Sequence, residues 1–354
     1  MSPSPDTVHR TSPLPTQSSL DVQMQPGNPP MVSAAARGTA SSWMAAHRDA
    51  LLCAVTEHGS LLVRGLDLHD AAEIATIFQQ LGRLMGDREA FAARRHYADR
   101  LYSSSNWPPT LPMCMHHTLS YVLSPPSLLL FACLAAPTGG GATLVADSTA
   151  VLRSLPTELV ERFERLGWML IRNYNGEIGV SLADALGSDN HRAVESYCRA
   201  NAIEFEWQQN GILRTWQCRS AVVSHPCTGQ RCWFNQIAFL NAWTLEPEVR
   251  EYLVDAYGEA GLPFDTRFGN GDPIGPDIVR LINRIYDEHS IRNQWQPGDL
   301  LLVDNIRTAH GRERFEGKRE VLVAMADAVN PGGRTVAAGR SEAAEGDRES
   351  HGAQ

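Results

Sequence analysis

The sequence predicts a mainly β fold with peripheral helices, a double-stranded β-helix or jelly roll, and three observations lead there. Apolar runs of strand length recur along the chain, several of them joined by tight-turn signals. One such joint, Asn210-Gly211 between the runs at 203–207 and 212–218, is a strong two-strand hairpin signal. Helical periodicity is confined to a few stretches that do not alternate with strands as a parallel α/β sheet requires.

Taken in order, Trp43, Ala46, Ala50 and Cys53 recur at helical spacing, and Gly59 is placed to end that helix. Residues 61–65 read as a strand, and 72–84 as a second helix with Ile74, Phe78 and Leu81 on one face. Two apolar strands are expected between 119 and 146, joined by the turn Gly139-Gly140-Gly141. A short helix over 157–166 leads into a strand at 168–172 and then the hairpin. Residues 232–240 add a strand after the Cys227-Thr228-Gly229-Gln230 turn. Helices are expected over 246–260 and 276–289, the second with Ile278, Leu281, Ile282 and Ile285 facing inward. The last strands are expected over 300–304 and 320–326.

A chain of 354 residues that is 43% hydrophobic can bury a substantial core. With no internal linker, one catalytic domain is expected over 42–329, with 144–294 as an insertion that closes over its site. Residues 1–41, rich in Pro, Ser, Thr and Gly, read as a disordered extension, and 330–354 as a flexible tail. The net charge of -9, with no basic block interleaved with aromatics, argues against a nucleic-acid partner. No stretch reaches the roughly 18 apolar residues of a membrane span, and the N-terminal residues lack the apolar core of a secretory signal. Seven cysteines without Cys-X-X-Cys spacing indicate neither a disulfide framework nor a zinc ribbon, and reduced thiols in a cytoplasmic protein are the expectation. The Gly139-Gly140-Gly141 run lacks a following Lys-Ser/Thr, which removes a phosphate loop.

The chemistry-bearing pair is His116 and His310. His116 lies in Met115-His116-His117-Thr118-Leu119-Ser120-Tyr121, and Thr143 follows the glycine turn. His310 follows Trp295-Gln296-Pro297-Gly298-Asp299 and Asp304-Asn305, and Arg319 lies beyond it. Any one of twelve histidines is more readily a core or surface residue than a ligand, and what sets these two apart is the matched positions around each. The ordered set resembles the iron(II)/2-oxoglutarate dioxygenases of the taurine dioxygenase (TauD/TfdA) family over roughly residues 60–328. Trp233-Phe234-Asn235-Gln236, the Trp295 run and His310-Gly311-Arg312 bring it nearest the subgroup found beside peptide synthetases that oxidises amino-acid units.

The resemblance implies Fe(II) held by His116 and His310, with open positions for 2-oxoglutarate and oxygen. It implies that Arg319, as a bidentate fork, and Thr143, through its hydroxyl, hold the far carboxylate of 2-oxoglutarate. Arg312 and Arg314 compete for the arginine's place. The implied reaction is hydroxylation of an aliphatic C–H of an amino acid, free or tethered to a carrier protein, in secondary metabolism such as antibiotic biosynthesis. His225 and Asn235 fall where the family lines its pocket, although structural hydrogen bonds account for either equally well. Asp304 and Asn305 are expected to shape the turn before His310.

One position departs from the family pattern. Where His-X-Asp/Glu supplies a metal carboxylate, this chain has Thr118, whose hydroxyl is neutral and sits one atom closer to the backbone. His117, next along a strand, is expected to point to the opposite face. Three readings follow for Thr118. The preferred one is an oxygenase with solvent, or a side chain from elsewhere, in the vacant position. Another is a halogenase, since relatives that transfer chlorine carry Ala or Gly there; Thr is bulkier, but its hydroxyl can hydrogen-bond an anion. The third is a protein that keeps the fold for binding alone.

Overall fold

The computed structural model describes residues 20–34, 38–92, 94–104, 107–208 and 211–331. Two sheets share its central core. The larger, of eight strands, runs in the order Met31–Ser33, Ser60–Arg64, Leu300–Asp304, Pro126–Ala135, Glu320–Ala328, Leu101–Ser103 and His96–Ala98, with Leu84–Met85 also paired to Glu320–Ala328. The smaller runs Ser290–Asn293, Thr143–Asp147, Thr308–Arg312 and Met113–His116.

Side-chain alternation gives the larger sheet two dry faces. Leu129, Phe131, Leu301, Val303, Val321 and Val323 point into the core shared with Met113, Met115, Val145 and Ala309 of the smaller sheet. Leu128, Leu130, Leu300, Leu302, Leu322 and Ala324 face the other way, onto Met44, Leu51 and Val55 of helix Ala40–His58 and Ile74, Phe78 and Leu81 of helix Ala71–Leu81. Burial on both faces is why these strands read as unbroken apolar runs. Helix and strand each make up 31% of the described residues. The fold is therefore mixed and sheet-rich rather than mainly β, because helices cover the sheet face that the jelly-roll expectation left thin.

The N-terminal boundary also moves. Met31–Ser33 pairs in parallel with Ser60–Arg64, and Val32 is buried, so ordered structure begins ahead of residue 42. A three-residue strand amid polar sequence leaves no periodic trace. Residues 1–19 of the expected extension and 332–354 of the expected tail lie outside the described residues.

Helix Ala40–His58 starts at Thr39, whose hydroxyl accepts from the Ser42 amide, and ends at Gly59 with φ 82°. Its buried stripe is Met44, Leu51, Ala54 and Val55, and Cys53 is exposed. The second helix stops at Leu81 instead of continuing to 84, because Gly82 runs hard against the last strand: a Cβ there would lie 2.9 Å from that of Ala326. Leu84–Met85 joins the sheet instead. Of the two strands expected between 119 and 146, the first begins only at Pro126 and the second is Thr143–Asp147, and they belong to different sheets.

Between Thr143–Asp147 and Ser290–Asn293 the chain builds a separate sheet in the order Glu204–Trp207, Leu213–Arg219, Trp168–Tyr174 and Phe264–Phe268. The hairpin forms as expected, pairing Phe205 with Thr215, although Asn210 itself lies outside the described residues. The strand expected over 232–240 shortens to Arg231–Trp233, since the chain turns at Asn235, whose Oδ1 accepts from the Ile237 amide. The helix expected over 246–260 is Pro247–Tyr257, ended by Gly258 at φ 71°. All seven cysteines are free, and no described helix is long and apolar enough to cross a membrane.

Candidate active site

His116 ends strand Met113–His116, His310 lies in Thr308–Arg312, and the two are paired Cα to Cα across those antiparallel neighbours. Cross-strand partners share a face, which brings the ring centroids to 4.4 Å. The close approach depends on Gly311, where a Cβ would meet the Met113 carbonyl and the Met115 sulfur at 2.8 Å. His116 Nδ1 donates to the Cys114 carbonyl at 2.9 Å, which leaves the lone pair on Nε2. Burial pushes the His116 pKa down to about 4 and holds that of His310 well below its ordinary value. Both rings are thus neutral near pH 7, the form that ligates a metal. Phe239, from the segment expected to close over the site, stacks on His116 at 4.3 Å.

Thr118 stands beside this pair, with Oγ1 3.2 Å from His310 Nε2. Asn305 fixes its backbone: the Thr118 amide donates to Asn305 Oδ1, and Asn305 Nδ2 donates to the carbonyls of Thr118 and Pro126, all within 2.9 Å. His117 turns the other way, between the Asn305 carbonyl at 2.5 Å and Ser148 Oγ at 2.8 Å. Among the described residues, no group of three His, Cys, Asp or Glu side chains is placed to hold a metal. None of those side chains therefore takes the place of the missing carboxylate.

The structure brings Arg319 and Thr143 together. Arg319 Nη2 lies 3.4 Å from Thr143 Oγ1, its Nη1 donates to Ser104 Oγ and its Nε to the Gly141 carbonyl, each at 3.0 Å. Thr143 Oγ1 also accepts from Trp295 Nε1 at 3.0 Å. Burial, with the charge of Arg312 behind it, lowers the Arg319 pKa to about 10, so the guanidinium stays cationic. Of the competing arginines, Arg312 is engaged by the carbonyls of Pro108 and Leu111, to which its Nη2 donates, and Arg314 is exposed.

His116, Thr118, His310, Thr143 and Arg319 line one cavity. His225 and Asn235 are not among its lining residues. His225 Nε2 donates to Asp304 Oδ2 at 2.8 Å, and Asp304 Oδ1 accepts from the amides of Ile306 and Arg307, bracing the turn before His310. Asn235 Nδ2 donates to the Ala221 carbonyl. The sequence reading missed Phe91, Arg94 and Ser104, which line the cavity from loops with neither periodicity nor motif.

The residues present fit a divalent metal and a dicarboxylate. Two neutral imidazoles face each other, and among the described residues the buried His310 Nδ1 has no partner and the lining contains three arginines but no carboxylate. Such a fold and site define a non-haem iron, 2-oxoglutarate-dependent oxygenase. The chain belongs to the taurine catabolism dioxygenase TauD, TfdA family, which it matches over residues 25–325. It is 33% identical over 278 residues to the dapdiamide synthesis protein DdaC of Enterobacter agglomerans, covering 78% of this chain and 84% of that protein. Among solved structures it is similar to PvcB of Pseudomonas aeruginosa, with a TM-score of 0.51 and 15% identity over 87% of this chain and 90% of the other. It is also similar to AAD-2 in complex with Mn(II) and N-oxalylglycine, with a TM-score of 0.50 and 16% identity over 90% of this chain and 100% of that one. These two likenesses concern the fold. The protein is an enzyme with Fe(II) and 2-oxoglutarate as cofactors.

Proposed function

We propose that this enzyme, on a double-stranded β-helix core, hydroxylates an aliphatic C–H of an amino acid, free or tethered to a carrier protein, in secondary metabolism. The observation that carries the reading is the gathering of His116, Thr118, His310, Thr143 and Arg319 on one cavity. The place of DdaC in dapdiamide synthesis supports a biosynthetic substrate.

In this reading His116 and His310 hold the iron. Iron held there would supply, with 2-oxoglutarate and oxygen, an oxidant for C–H bonds, the co-substrate leaving as succinate and CO2. Arg319 offers its fork to the far carboxylate of 2-oxoglutarate. Thr143 Oγ1 already receives N–H groups from Trp295 and Arg319, so its own proton is free to be donated to that carboxylate. Phe239 stacks on His116 and shields that face of the ring. Thr118 brings no charge, which leaves one metal position to water or an anion.

The test is His310→Ala: a variant that binds iron and consumes 2-oxoglutarate as the parent does would overturn the assignment. A second reading, halogenation, is favoured by the lack of a third ligand among the described residues and by the hydroxyl of Thr118. Product mass spectrometry with and without chloride separates the two, and chlorinated product formed only with chloride would replace hydroxylation.

A further inference from the structure

Three arginines line the active-site cavity, and two of them have work within the protein. Arg319 is held by Thr143, Ser104 and Gly141, and Arg312 by backbone carbonyls. Arg94 differs. Its side chain is only 12% exposed, and its single ionic contact runs from Nε to Asp87 Oδ2 at 3.4 Å. Among the described residues its guanidinium makes no hydrogen bond, although it carries five N–H donors. Its unpaired guanidinium nitrogens are not sealed in protein, so a ligand in the cavity that Arg94 lines can take the place of water as their partner.

The loop that carries Arg94 is clamped. Glu89 sits at φ 59°, a left-handed conformation that costs a non-glycine residue and persists only where partners impose it. Its buried carboxylate accepts from Tyr197 Oη at 2.8 Å and Gln217 Nε2 at 3.3 Å. Its carbonyl accepts from Tyr121 Oη at 2.5 Å and Arg172 Nη1 at 2.9 Å, while Arg172 Nη2 binds the Ala90 carbonyl. Phe91, next in line, packs edge-on against Phe239 at 4.8 Å, over the His116 ring. Arg94 is therefore presented to the cavity by a preorganised loop, which lowers the entropy lost when a ligand binds.

Charge balance asks for a second anion. Fe(II) and the two carboxylates of 2-oxoglutarate cancel one another, so loading the cofactors leaves the lining as positive as before. Asp87 offsets only one of three guanidinium groups.

We propose that Arg94 binds a carboxylate of the primary substrate, so that the enzyme selects a free amino acid or a similar small acid over one whose carboxylate is tied up in a carrier thioester. This deepens, and rests on, the oxygenase reading above. The probe is isothermal titration calorimetry on protein loaded with Mn(II) and N-oxalylglycine, titrated with the L-amino acids as free acids and as carboxamides. The expected result is at least one free acid that binds the parent about tenfold or more tightly than its amide, with Arg94→Gln erasing that margin to within about twofold. Arg94→Lys is expected to keep part of it, and N-oxalylglycine to bind Arg94→Gln as it binds the parent, which also shows that the variant is folded. The proposal is overturned if no free acid outbinds its amide, or if the margin survives in Arg94→Gln. It is equally overturned if Arg94→Gln loses N-oxalylglycine as Arg319→Gln should, which would assign Arg94 to the co-substrate. A parent that fails to bind Mn(II) and N-oxalylglycine sinks the underlying reading too, and shows this before any amino acid is added.

Discussion

Thr118 carries the question of what this site does with its metal. Its Oγ1 lies 3.2 Å from His310 Nε2, so a carboxylate at 118 would reach the same place with a negative charge attached. Thr118→Asp is expected to tighten Fe(II) binding by about tenfold or more, measured by anaerobic competition with a chelator. Unchanged affinity would mean that residue 118 does not serve the metal. In a halogenase the same variant would exclude chloride and end halogenation. Arg319→Gln is expected to weaken 2-oxoglutarate by about 30-fold or more, because a buried charged fork is lost, whereas Arg314→Gln, on an exposed residue, should not change it. At this scale the motifs were legible: His116, Thr143, His310 and Arg319 could be read because neighbouring residues identify each. Phe91, Arg94 and Phe239 could not, since loops distant in sequence meet at the cavity only through tertiary packing.

The turn between Leu300–Asp304 and Thr308–Arg312 is the element that sets the site's geometry. Asn305 ties the Thr118 amide and carbonyl to the Pro126 carbonyl, so its side chain couples three segments. Asn305→Ala would leave those buried groups unpaired and is expected to cost about 2–4 kcal/mol, with weaker metal binding, checked by urea unfolding and metal titration. An equally stable Asn305→Ala protein would mean that the turn is held elsewhere, by His225 and Asp304. Turn chemistry of this kind was legible as a role for Asp304 and Asn305 but not as a set of partners. Helix ends were legible where glycine takes positive φ, as at Gly59, and missed where an extended Gly82 stops the helix against a distant strand. Apolar composition carried the strand reading too far at 232–240, where Asn235 turns the chain.

For the whole molecule, the unforeseen feature is how early the ordered structure starts. Met31–Ser33 covers the edge of Ser60–Arg64, with Val32 buried at 2% exposure. Deleting residues 1–33 is expected to lower Tm by several degrees and promote association through the bared edge, measured by scanning calorimetry and light scattering. An unchanged Tm would make that strand ornamental. The mixed class escaped the sequence because a sheet dry on both faces gives the same apolar runs as the core strands of a jelly roll, and only packing reveals which face the helices cover.

Among the described strands, Met113–His116 is the outermost of the four-stranded sheet, paired with Thr308–Arg312. Such a strand peels away at lower free energy than the strands inside. A metal spanning His116 and His310 would rivet it to its neighbour, so that each opening would first require the ion to leave. Amide exchange at Cys114 and Met115 should then slow sharply when Mn(II) is added, while Leu301 and Leu302, deep in the larger sheet, keep their pace. The strand thereby becomes a clock that reports how long the ion stays, readable by hydrogen-exchange mass spectrometry without any turnover.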